Sequence, residues 1–203
     1  MLMITYQNNK SEHRGETELN FDVEKLFYSF VRENDLDIQL SYIMPSGYED
    51  AFGTFDITAK TLFLNRGLLE SESEFEVLFY FYHELRHAVQ YSHPQKFSKP
   101  IRESINYVIL YNGLCFKLIG GKWESCHLVG NEEYFTLVYE NLPYELDANL
   151  YARDMVKALL PQYTADIESL YCSWLPQRSI SKEEFASIFR QIDSSINSHL
   201  SDD

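Results

Sequence analysis

The segment "SESEFEVLFYFYHELRHAVQYS", Ser71 to Ser92, constrains the fold more than any other stretch of the chain. From Phe75 to Leu85 it is apolar on almost every side. A helix of that kind has no face to give to solvent, so other elements must surround it. Ser71 with Glu74 makes a capping-box pattern, and Glu72, Glu74 and Glu76 suit the positive end of the helix dipole. His93-Pro94 ends the segment. With 203 residues, 45% of them hydrophobic, the chain can bury such a helix within one domain.

The other elements can be placed around it. "FDVEKLFYSFVREN" has apolar residues at Phe21, Val23, Leu26, Phe27, Phe30 and Val31, which is helical spacing, with Asn20 as N-cap. "DIQLSYIM" reads as a strand stopped by "PSG". "AFGTFDITAKTLFLN" reads as two strands about a turn near Thr58 to Lys60, and Leu62 and Leu64 share one face of the second. From Pro94 to Asn141 the pattern weakens. "IRESINYVILYNGLCFKLI" fits a helix followed by a strand, or one longer helix, and a further helix fits Asn131 to Tyr139. "NLPYELDANLYARDMVKALLP" is a helix, with Asn141 as cap, Pro143 in its first turn and Pro161 as its stop. "SKEEFASIFRQIDSSINSHL" is amphipathic, with Phe185, Ile188, Phe189, Ile192 and Ile196 in one stripe. The expectation is an α+β fold over 1–203 as one domain. Its core is about 21–161, with an insertion at about 94–141 and a helical extension at 162–203.

Composition narrows the partners. The formal net charge is −14 and no run of five basic residues occurs. Phosphate binding needs clustered Lys and Arg, so nucleic acid is not an expected partner. Cys115, Cys126 and Cys172 form no CxxC pair, which fits free thiols in a reducing compartment. The first residues turn polar after four positions, so no signal peptide is expected. "INYVILYNGLCFKLIGG" is broken by Asn106, Asn112 and Lys117 and falls short of a membrane span. The reading is a cytoplasmic protein without a membrane partner; its oligomeric state is not legible.

The chemistry sits in His83-Glu84-Leu85-Arg86-His87, an HExxH pattern. On a helix, positions i and i+4 share a face, so both imidazoles can reach one ion. Glu84 is offset by about 100° and can hydrogen-bond a metal-held water without being a ligand. A chance HExxH somewhere in a chain with this many histidines is on the order of one or two in a hundred. A helix with two histidines bonded to neighbours is the plainer alternative. Metal spacing on so apolar a helix argues against it. Arg86 reads as an ion-pair or solvent-facing residue.

A catalytic zinc site wants a third protein ligand and an open position. Two residues can supply the ligand. His93 completes HExxHxxxxxH, the spacing of the metzincins, in which a glycine three residues after the second histidine turns the chain back to the metal. Here that position is Gln90, which tolerates positive φ poorly. Glu145 heads a stripe of Ala148, Asn149, Ala152 and Val156, whose small residues allow close approach of another helix. Asn149, one turn on, can hydrogen-bond a ligating histidine. Asp147 points to another face. Taken alone, Glu145 also fits a first-turn glutamate that complements the helix dipole.

The hairpin "GTFDITAKTLFLN", the HExxH helix and the later "ELDANLYA" of form ExxANxxA come in the order and character of the ImmA/IrrE-type zinc metallopeptidases, which the chain resembles over roughly Ala51 to Pro161. The resemblance implies a zincin-like fold, a small antiparallel or mixed sheet on a central HExxH helix with additional C-terminal helices. It implies Zn²⁺ on His83, His87 and Glu145, with Glu84 as general base in hydrolysis of a peptide bond in a protein or peptide substrate. It also implies a strand near Gly53 to Ile57 or Thr61 to Asn65 along the substrate cleft. Relatives of this kind often act in phage or mobile-element control. The segment between His87 and Glu145 is longer than the family's, and the tail past Pro161 is unmatched. Tyr151, Tyr144 and His127 are open choices for the oxyanion donor. Two other readings stand beside this one. The first is a catalytically inactive or cleft-blocked zincin-fold binding or regulatory protein. The second is a DNA-associated zincin protease, which the charge opposes.

Overall fold

The structure, a computed structural model, describes residues 21–69 and 72–200. They divide into two compact units: one runs to Pro94 and includes Asp147–Ser173, and the other joins Gln95–Leu146 to the residues from Trp174 onward. The second unit thus holds most of the insertion expected from the sequence and the last part of the C-terminal extension.

In the first unit, α1 (Val23–Glu33) starts where the Asp22 side chain accepts from the Lys25 backbone N–H. Asn20, the cap expected from the sequence, lies outside the described residues. Phe27 and Phe30 are the buried face of α1. Strands β1 (Gln39–Ser41), β2 (Gly53–Asp56) and β3 (Thr61–Leu64) form a sheet of order β1-β3-β2, parallel between β1 and β3 and antiparallel between β2 and β3. The β2–β3 turn closes because Asp56 Oδ1 accepts from the N–H groups of Thr58 and Ala59 at 2.7 and 2.9 Å. The short helix α2 (Arg66–Leu69) follows.

Helix α3 (Glu74–Ser92) packs on β2 and β3. Val77, Leu78, Phe79, Tyr80, Phe81, Tyr82, Leu85, Ala88 and Val89 are all buried, as an all-round apolar helix requires. Phe52 stacks on Tyr80 at 4.2 Å. The capping box is Ser73 with Glu76, two residues later than expected; Ser71 lies outside the described residues. Physically, the helix starts at the serine whose partner three residues on can reach back to its N–H.

In the second unit the weakly patterned stretch becomes a helix and a three-stranded antiparallel sheet. These are α4 (Lys99–Ser104), β4 (Tyr107–Ile109), β5 (Leu114–Ile119) and β6 (Lys122–His127), in sheet order β4-β5-β6. Gly120 and Gly121 have φ of 57° and 82° and link the paired Ile119 and Lys122. Two consecutive positive φ values match the twist of a two-residue hairpin, and glycine reaches them without strain. The register sets Cys115 opposite Cys126, and both are free and buried.

Helix α5 (Glu132–Glu140) is capped by Asn131 and ends at Asn141. The expected role of Asn141 as cap of the next helix is corrected: its side chain donates to Leu137 O and Arg178 O and accepts from Ile180 N–H. Helix α6 (Pro143–Leu159) follows as one unbroken helix. Helix α7 (Thr164–Ser173) and helix α8 (Lys182–Leu200) complete the chain. The stripe on α8 buries Ile188, Ile192 and Ile196 against β5 and β6, and Phe189 stacks on Tyr107 at 4.1 Å. The fold is a mixed α+β arrangement. Among the described residues no helix is long and apolar enough to cross a membrane.

Candidate metal centre

Helices α3 and α6 supply every side chain of the candidate site. Histidines at i and i+4 of α3 share a face, and the structure turns both rings toward one point: His83 Nε2 and His87 Nε2 stand 3.0 Å apart. Glu145, in the first turn of α6, joins them. One ligand atom from each of the three residues lies within 4.8 Å of the other two. All three are buried, with 3%, 1% and 2% of their surfaces exposed for His83, His87 and Glu145. Ala148 and Ala152, the small residues of the α6 stripe, are fully buried.

The protons of the two rings follow from their other partners. Gln90 Nε2 donates to Asp147 Oδ2 at 2.8 Å. A carboxylate paired with a guanidinium is an acceptor only, so the amide must turn its NH₂ there and its Oε1 the other way. That oxygen lies 2.9 Å from His87 Nδ1. His87 Nδ1 is therefore the N–H, and Nε2 carries the lone pair. Asn149 Oδ1 lies 2.8 Å from His83 Nδ1 and gives His83 the same tautomer. The two Nε2 atoms then face each other across 3.0 Å beside a buried carboxylate. Two facing acceptors repel unless a cation or proton lies between them. Two imidazole nitrogens and one carboxylate oxygen, with outer hydrogen bonds fixing the rings, match the donor set of a zinc-type divalent ion better than the all-oxygen set of calcium or magnesium.

Glu84 is 2% exposed and lies against β2. A Cβ built on Gly53 would stand 3.2 Å from Glu84 Cγ and 3.1 Å from Phe63 O, so the lack of a side chain there lets the strand come this close. Tyr48, buried just ahead of β2, was passed over in the sequence. Burial pushes its phenol well above the ordinary range, and the Asp56 and Glu84 carboxylates push it further, so it stays a neutral donor.

His93 stands outside the group. Glutamine at position 90 leaves α3 helical as far as Ser92, and His93 Nε2 donates to Asn34 O at 2.9 Å and Asp35 O at 3.2 Å. Arg86 forms a two-pronged pair with Asp147, Nε to Oδ2 at 2.7 Å and Nη2 to Oδ1 at 3.1 Å, and lies over the Tyr151 ring. Burial raises the Tyr151 phenol while the Arg86 guanidinium pulls it down. Of the other oxyanion choices, Tyr144 is fully buried and His127 is exposed on β6. Sequence reasoning named Gln90 and Asp147 but missed that they pair. Gln90 was read only as a position lacking glycine, and its one-turn spacing from His87 was the available signal.

No family model, curated protein or solved structure matches the chain. The site is therefore read from its own geometry. That geometry provides a buried His83-His87-Glu145 group able to hold a metal ion.

Proposed function

We propose that the protein is a zinc-dependent metallopeptidase of the ImmA/IrrE type, hydrolysing a peptide bond in a protein substrate. The observation that carries the reading is the convergence of His83 Nε2, His87 Nε2 and a Glu145 oxygen, with the Nδ1 atom of each ring facing an amide oxygen. Zinc, when bound, polarises a carbonyl and makes a water acidic enough to lose its proton near neutral pH.

The chain's own residues do the rest. Glu84 takes the proton from the attacking water on its carboxylate and delivers it to the leaving amine nitrogen. Its near-complete burial keeps bulk water from competing for that proton. Strand β2 is an edge of its sheet among the described residues, and Gly53 brings its backbone beside Glu84. An extended peptide added to that edge would run past the base, held by main-chain hydrogen bonds.

Glu84→Gln tests the reading. The variant is expected to keep one zinc per chain and to lose proteolysis of a peptide library by roughly 100- to 10,000-fold, the usual worth of a general base. Unchanged cleavage by the variant would end the peptidase reading.

The burial of His83, Glu84, His87 and Glu145 supports a second reading, a cleft-blocked protein on the same scaffold that binds a partner without cutting it. Zinc binding with no cleavage of any library member by the wild-type chain selects that reading.

A further inference from the structure

We propose that Gln90 and Asp147 are positioning residues, held by Arg86, which fix the His87 ring in its metal-presenting tautomer. The proposal deepens the metal reading above and rests on it for its affinity arm only.

The geometry forms a directed chain. Arg86 grips both oxygens of Asp147, at 2.7 and 3.1 Å. Asp147 Oδ2 also accepts from Gln90 Nε2 at 2.8 Å, and Gln90 Oε1 faces His87 Nδ1 at 2.9 Å. Each link dictates the polarity of the next. A cation orients an acceptor, the acceptor orients an amide, and the amide oxygen demands a proton on Nδ1. Gln90 is wholly buried, so no bulk water replaces a lost partner. Asp147 has about a fifth of its side chain exposed and Arg86 a similar share, so the chain runs from the protein surface to a ligand nitrogen. On the other ring, His83 Nδ1 meets the amide oxygen of Asn149 directly. The two ligating rings are thus oriented by different means, and the His87 side draws its polarity from a carboxylate one residue removed.

The arrangement predicts a reciprocal rescue. Asp147→Asn leaves the amide of Gln90 facing another amide, which lets either end of Gln90 turn to His87. Gln90→Glu puts two carboxylates face to face. The double variant Gln90→Glu/Asp147→Asn restores the match between the two positions, with the introduced amide keeping its oxygen on Arg86 Nη2 and giving up the contact with Arg86 Nε. In it the carboxylate introduced at position 90 accepts from both His87 Nδ1–H and the amide introduced at position 147.

Two measurements on the full chain test this. The first is the ¹⁵N chemical shift of His87 Nδ1, in zinc-free and zinc-loaded protein, which reports the tautomer without reference to activity. Wild type is expected to show a protonated Nδ1 in both forms. Asp147→Asn should add an unprotonated Nδ1 population, and the double variant should remove it. The second is zinc affinity by competition with a chromophoric chelator. Each single variant should bind 10- to 100-fold more weakly, the usual worth of an outer partner of a metal ligand, and the double variant should return close to wild type. An unprotonated His87 Nδ1 in the wild type, or single-variant losses that add in the double variant, overturns the proposal. A wild-type chain that holds a protonated Nδ1 yet binds no zinc sinks the metallopeptidase reading and leaves the positioning chain standing.

Discussion

The two units bury their interiors in different ways. In the second, the face of α8 against β5 and β6 is built from Ile188, Ile192 and Ile196, and the polar group beside it stays partly in solvent. There Tyr107 and Lys117 both donate to Asp193, at 3.1 and 2.6 Å, with about a quarter of the Lys117 side chain and a third of Asp193 exposed. Folding alone accounts for that pattern. In the first unit, α3 carries His83, Glu84, His87 and Gln90 at 3% exposure or less, inside an otherwise apolar helix. Burying polar groups costs roughly 1–3 kcal/mol each unless hydrogen bonds offset it, and here Asn149 and Gln90 meet the Nδ1 atoms of the two rings. Folding alone does not account for the pattern on α3: His83 and His87 belong to a buried group with Glu145 that could hold a metal ion.

The largest expected effect comes from removing a ligand. Glu145→Ala should lower zinc affinity by at least about 100-fold, beyond the range of outer partners, while His93→Ala leaves it unchanged. The reverse outcome, read by chelator competition, would move the third ligand to His93. Next is the apolar interior. Ile192→Ala should cost about 2–5 kcal/mol in denaturant unfolding, because a fully buried branched side chain leaves a cavity. A cost well below that would mean that α8 is loosely seated. Zinc removal comes third. At a free zinc concentration 100 times its Kd, stripping the metal should lower stability by about 2.7 kcal/mol. For a chain of this length that is a drop in Tm of roughly 5–10 °C by calorimetry. No shift would mean that the polar interior is complete without an ion. The smallest effect belongs to the partly exposed pair: Lys117→Met should change stability by under about 1 kcal/mol.

What the sequence disclosed follows from how local each signal is. The HExxH helix was legible because its apolar surround and its i, i+4 histidines lie within one element. The β2–β3 hairpin was legible from the alternation of its second strand and from the turn near Thr58 to Lys60. The sheet of the second unit was not, because β4 is three residues long and β5 does not alternate cleanly. Gly120-Gly121 was its one strong mark. Glu145 was a candidate by its stripe and stood out only through resemblance, since a first-turn glutamate has an ordinary explanation in the dipole. The pairing of Gln90 and Asp147 stayed hidden for a different reason. Their roles depend on each other across two helices, and a polar residue read singly gives no sign of the partner that orients it.

The central claim is that His83, His87 and Glu145 hold one metal ion. Anomalous diffraction at the zinc edge, from crystals of the zinc-loaded protein, tests it most directly. The account predicts a single strong peak bonded to His83 Nε2, His87 Nε2 and a Glu145 carboxylate oxygen. A peak ligated by His93 in place of Glu145, or no peak between the two imidazoles, would contradict it.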